Sequence, residues 1–220
     1  MDYHDLKQRH RAEREGFHSN LSLRVHRSLS WLQRAEQAED LDGRFIFLWI
    51  SFNAAYATEI DENYRRSEQS AFREFLQKLC DLDDKKQLEG LAWSEFPRSI
   101  RLLLSNQYVF QPFWDFHNGK LTEQEWRDQF DAARRAAQAA LGHQDTATSI
   151  GIALSRLYTL RNQLIHGGAT WNSSVNREQL RDCVALMSKL VPIILTIMMD
   201  HPGTLWGDAC YPVVSETRAL

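Results

Sequence analysis

Between Asn20 and Glu39 an apolar residue returns every three or four positions, at Leu21, Val25, Leu29 and Leu32. That spacing is the period of a helix with one apolar stripe, and Arg24, Arg27 and Arg34 fall off the stripe. The next run, 41–60, is apolar nearly all round, with Phe45, Phe47, Leu48, Trp49, Ile50, Phe52, Ala54, Ala55 and Tyr56. Such a helix belongs in the middle of a core or at a protein–protein interface. Asn53 lies within it, an amide that needs a hydrogen-bond partner if it is buried.

The same period, more weakly expressed, predicts a polar helix over 5–18 and shorter helices over 67–80, 83–91 and 95–105, the last with Pro97 in its first turn. Thr122 and Glu125 form a capping-box pair that opens an alanine-rich helix over 122–141. Two further helices are expected at 146–166 and about 175–199. Pro192 cannot donate to the carbonyl of Ser188 and should kink the second. Segment 106–120, NQYVFQPFWDFHNGK, interrupts the pattern with Pro112, Asn118 and Gly119. Its aromatics could stack RNA bases, but they more simply pack a loop onto the core. No strand-like alternation, internal repeat or low-complexity stretch is present. The expected fold is an all-α helical bundle. It is read as one domain over 1–220, with 61–121 a candidate helical insertion and 200–220 an irregular tail.

Composition narrows the function classes. A net charge of −3 over 220 residues argues against a surface that coats polyanions, so any nucleic-acid contact must come from a local patch. Such a patch is suggested at 151–190, where Arg156, Arg161, Arg177, Arg181 and Lys189 outnumber Glu178 and Asp182. Arg65–Arg66 and Arg134–Arg135 read as solvated faces, and Glu59 as a helix-end charge. Cys80, Cys183 and Cys210 are too far apart for a CxxC or zinc pattern and are expected to be reduced thiols. Seven of the eight histidines show no ligand spacing, and no carboxylate cluster suggests a metal, so no cofactor is expected. The charged start lacks the apolar core of a signal peptide. The most apolar runs fall short of the roughly 20 residues a bilayer requires. A cytoplasmic, non-membrane protein is the expectation.

The candidate chemistry sits in RNQLIHGG, residues 161–168. On a wheel centred on Leu154, Ile150, Leu157, Tyr158 and Ile165 form the apolar stripe, and Arg161 lands at about −20°, near its centre. Arg156 lands on the opposite face, where solvation is the simple expectation. A guanidinium on an apolar stripe needs an anionic or hydrogen-bonding partner, or an opening to a ligand. His166 falls at about 120°, just before a Gly-Gly pair suited to a left-handed helix stop. The negative end of the helix favours its protonated form and suits it to proton transfer near neutral pH. Arg161 and His166 thus diverge by about 140° around one axis. They converge if the helix end unwinds, or if a second copy supplies the opposite member.

RNQLIH resembles the R-x4-6-H motif of HEPN domains, with a polar residue after the arginine. The upstream FLWISFNAAY is similar to the buried helix of the ApeA-like HEPN group. The resemblance covers about 20–60 and 146–199. It implies a HEPN-like helical bundle with additional helices between the core helix pairs, dimerised so that two motifs line one cleft. Many members are metal-independent endoribonucleases. His166 would then be the general acid or base on the ribose 2′-hydroxyl, Arg161 would stabilise the phosphorane-like transition state, and Asn162 would orient the pair or bind phosphate. Asn53, on the buried helix, more simply satisfies a buried backbone group or contacts the motif helix in a supporting role than touches substrate. The implied partners are an RNA substrate, a second copy of the chain and an antitoxin or regulatory protein, in a toxin–antitoxin or phage-defence setting. Non-catalytic HEPN modules that bind a protein or a nucleotide are the alternative.

Overall fold

The computed structural model describes residues 2–57, 68–174, 177–209 and 211. Ten α-helices account for nearly all of their regular structure, and no strand occurs among the described residues. In chain order they are α1 (Tyr3–Glu13), α2 (Ser19–Glu36), α3 (Leu41–Tyr56), α4 (Glu68–Leu82), α5 (Gln87–Gly90), α6 (Pro97–Ser105), α7 (Gln111–His117), α8 (Glu123–Gly142), α9 (Thr146–Ile165) and α10 (Arg177–Asp200). A π-type turn, Leu91–Glu95, carries α5 on towards α6. The chain is all-α, as the periodicity predicts.

Local chemistry sets the helix starts. Asp2 with Asp5, and Thr122 with Glu125, close reciprocal capping boxes. Asp40 and Asp145 accept the backbone N–H groups of Gly43 at 2.7 Å and Thr148 at 3.0 Å. Pro97 opens α6, where its missing N–H removes nothing. α3 stops at Tyr56, because Ala57 turns extended, earlier than the apolar run to residue 60 suggests. Residues 58–60, together with Glu59, Arg65–Arg66, Cys210 and the tail beyond Tyr211, lie outside the described residues. The aromatic segment also differs from the expected loop. Pro112 sits in the first turn of α7, where a proline is tolerated, so Gln111–His117 is helical.

α2 and α3 form an antiparallel pair at the centre. Ser28 Oγ donates to Ser51 O at 2.8 Å, and Ser51 Oγ returns a bond to Ser28 O at 2.7 Å. Leu21, Val25, Leu29 and Leu32 are buried as the stripe predicts. Arg24, expected off the stripe, is buried too, at 1% exposure. It is covered by α3 and by the chain at 207–208, which supply its acceptors. α10 packs on α3 and runs through Pro192 as one helix, with Thr196 Oγ1 donating to the Pro192 carbonyl at 2.8 Å. Its 24 residues are long and apolar enough to cross a membrane, but 67% of the apolar window is buried against the other helices.

α9 lies against α4, and a Cβ at Gly151 would stand 3.5 Å from Leu76 Cδ1, an ordinary contact. Leu76, Leu79, Leu88, Leu91, Ile100 and Leu103, all from the 61–121 stretch, join the same apolar core as Trp49, Phe52, Leu154 and Leu190. Burial of each large side chain there is worth about 1.5–3 kcal/mol.

Candidate active site

α9 delivers the motif. Ile150, Leu154 and Leu157 hold it in the core, but the stripe runs out before the helix ends. Leu164 is half-buried, and Ile165, expected on the stripe, is 48% exposed. Arg161 is half-buried, with its Cζ 5.6 Å from the Tyr158 ring centroid and its Nη1 donating to Asn162 Oδ1 at 2.9 Å. Its Nε is buried and has no acceptor. One turn on, His166 caps the helix with φ −90° and ψ 10°, its backbone N–H bonded to the Asn162 carbonyl at 3.0 Å. Gly167 takes φ +72°, the left-handed stop that only glycine adopts freely. Gly168 N–H then donates to the Gln163 carbonyl at 2.7 Å and closes the end.

Arg161 and Asn162 therefore meet, while the His166 imidazole is solvent-exposed and makes no hydrogen bond or ion pair among the described residues. The arrangement offers a fixed guanidinium, a polarising amide and a free proton acceptor at one helix end. The pieces are complementary to an anion that undergoes proton transfer, and a single chain does not focus them on one point.

The loop after the motif is held by residues that the periodicity did not single out. Trp171 Nε1 donates to Asp40 Oδ1 at 3.4 Å, and Asn172 N–H to Asp42 Oδ2 at 3.3 Å. Arg177 Nη1 pairs with Asp42 Oδ2 at 2.8 Å. The start of α3 thus sits by the end of α9. Further along α3, Trp49 meets Tyr158 with ring centroids 6.0 Å apart. Asn53 lies a turn beyond Trp49, away from the His166 end, and its side chain forms no hydrogen bond with Arg161, Asn162 or His166. On the other flank, Gln163 Nε2 donates to the Tyr108 carbonyl at 2.8 Å, which also accepts Trp114 Nε1. The rest of the aromatic segment is packed. Phe113 meets Trp126 at 5.2 Å and Phe110 meets Phe130 at 5.3 Å, leaving Tyr108 as its exposed ring.

The basic excess of this region is largely spent within the fold. Arg177 is paired with Asp42, and Lys189 lies 3.6 Å from Glu95. Arg156, expected to be solvated, is only 3% exposed. Its Cζ stands 4.2 Å from the Phe110 centroid and 5.8 Å from that of Phe130. It has no carboxylate or hydrogen-bond acceptor among the described residues, and its Nε is buried. Burial lowers its pKa to about 10, so it is charged at neutral pH. Cation–π contacts bring about 2 kcal/mol or more each when desolvated, against several kcal/mol for stripping a charge of water without a counter-ion. Among the described residues no anion or acceptor adds to them. Phe110 and Phe130, which cover this side of α9, come from elsewhere in the chain, so the periodicity of α9 carries no sign of the burial.

Among the described residues no group of three or more His, Cys, Asp or Glu side chains is arranged to hold a metal ion. Comparison with family models, curated proteins and solved structures finds no match to this chain.

Proposed function

We propose that the chain is a metal-independent endoribonuclease of HEPN type that works as a homodimer. The observation that carries this reading is the exposed imidazole of His166, unpaired among the described residues, one turn beyond an arginine held by Asn162. His166 takes the proton of a ribose 2′-hydroxyl. The 2′-oxygen attacks the adjacent phosphorus, the bond from phosphorus to the 5′-oxygen breaks, and that oxygen takes a proton from water while the imidazolium of His166 returns its proton to solvent. The products are a 2′,3′-cyclic phosphate and a 5′-hydroxyl. Arg161 stabilises the charge that builds on the phosphoryl oxygens, and the donor–acceptor contact with Asn162 keeps its plane fixed.

Two apolar side chains are exposed at this helix end, Ile165 within the motif at 48% and Trp171 just beyond it at 70%. They support a second copy against this helix end, where its own motif would supply the opposite member of each pair. RNA cleavage by the purified protein in EDTA, with cyclic-phosphate ends, is the expected result. His166→Ala should lose about 10²–10⁴-fold in rate while keeping its unfolding midpoint, because the side chain is exposed. Undiminished cleavage by the alanine variant sinks the assignment, and a protein that stays monomeric with RNA sinks the composite site.

A second reading, a non-catalytic module that binds a protein or nucleotide through the same face, gains support from one observation. Arg156, Arg177 and Lys189 are buried or paired, so the helix end carries less free positive charge than the sequence suggests. In that case Arg161 and His166 are dispensable and substitutions at Ile165 and Trp171 abolish function.

A further inference from the structure

A cleft of about 470 Å³ opens between α8 and α9, bounded at one end by the turn at Val109–Pro112. Ala132, Ala133 and Ala136 form its α8 wall, and α9 contributes the hydroxyl residues Thr148, Ser155 and Thr159. Two guanidiniums line it, the buried Arg156 and the exposed Arg73 of α4, with no carboxylate among the described lining residues. Among the described residues both charged groups that line the cleft are therefore positive.

We propose that this cleft is a binding site for a small organic anion, with its carboxylate or phosphate group on Arg156 and its compact apolar body against the alanine wall. Arg156 is more than nine-tenths buried, held in orientation by Phe110, and without an acceptor among the described residues. An oxyanion supplies the missing acceptor, and a planar guanidinium donates two parallel hydrogen bonds to it. The volume falls in the range of small-molecule sites. A side chain this deep is out of reach of a phosphodiester strand crossing the surface, which favours a small ligand over RNA. The cleft-lining hydroxyls lie on the same side of α9 as Asn162 and His166, and Thr159 precedes His166 by about 10 Å along the axis. The inference is independent of the ribonuclease reading, because its readout is binding and not cleavage.

The test is titration calorimetry on the full chain at about 0.15 M ionic strength, with benzoate, phenyl phosphate and neutral benzamide as probes. At least one anion should bind about tenfold or more tighter than benzamide, and which one does so separates carboxylate from phosphate. Arg156→Leu should weaken that anion by at least about tenfold. Ala133→Phe, which fills the cleft and keeps Arg156, should do the same and serves if the first variant fails to fold. The proposal is overturned if neither anion outbinds benzamide, or if folded Ala133→Phe binds as the parent does. It also falls if Arg156→Leu weakens a short RNA oligonucleotide while neither small anion binds.

Discussion

Arg24 and Arg156 are both buried arginines on core helices, and the fold treats them oppositely. Arg24 spreads its guanidinium over three main-chain carbonyls, those of Ala55 at 2.9 Å, Gly207 at 3.3 Å and Asp208. Arg156 faces the rings of Phe110 and Phe130 and, among the described residues, no acceptor. The first joins α2 to α3 and to the chain beyond α10, so it is part of the structure. The second is a buried charge that no described residue neutralises. A structural arginine is recognised by what it satisfies, and a ligand-binding one by what it leaves open.

The largest effect expected from this contrast is on Arg24. Arg24→Met keeps much of the apolar stem but orphans the buried Ala55 carbonyl and loses the part-buried bonds to the Gly207 and Asp208 carbonyls, and a buried unsatisfied acceptor costs about 1–3 kcal/mol. A loss of about 2–4 kcal/mol in unfolding free energy is expected, most of it set by the buried acceptor. Urea unfolding with the slope held constant measures it. A change below about 1 kcal/mol would show that water satisfies those carbonyls and that Arg24 is no clamp.

Neither arginine was legible in the sequence, for the same reason. Periodicity reports which face of a helix meets its main neighbour, and it placed Leu21, Val25, Leu29 and Leu32, and Ile150, Leu154 and Leu157, in the core. It says nothing about a second neighbour covering the polar side. The chain at 207–208 does that for α2, and Phe110 with Phe130 does it for α9. Local signals were read well where they act locally, as at the Thr122–Glu125 box and the Gly167 stop. The Arg161–Asn162 contact joins sequence neighbours, so a motif could suggest it. Asp40 and Asp42, which hold the loop behind His166, act across about 130 residues and left no periodic trace.

A third buried basic group, His10, shows the remaining solution. Burial, reinforced by Lys7, His26 and Arg14, lowers its pKa to about 4, so it is neutral in the folded protein. Its Nε2 lies 3.3 Å from Ser22 Oγ. The unfolded chain takes up the proton at about pH 6.5, before the folded chain does. The His10 contribution is therefore fully present above that pH and is lost as pH falls through about 4. Between these values stability should decline with a slope of at most about 1.4 kcal/mol per pH unit from this group. His10→Leu should flatten that limb of the pH–stability curve. An unchanged slope would assign the acid sensitivity to other groups and leave His10 charged in the core.

The smallest change in stability is expected at Arg156. If its charge is uncompensated in the free protein, Arg156→Leu removes a desolvation cost and keeps apolar contact with Phe110 and Phe130. Replacing buried charge with well-packed hydrophobic volume is neutral or stabilising, so the unfolding free energy should stay level or rise by about 1 kcal/mol. The sign separates the two arginines more sharply than the size does. A loss of several kcal/mol would mean that Arg156 is held as firmly as Arg24, by contacts equivalent to those carbonyls. A level or improved stability, together with lost anion binding, would identify a residue that the fold carries at its own expense for the ligand it holds.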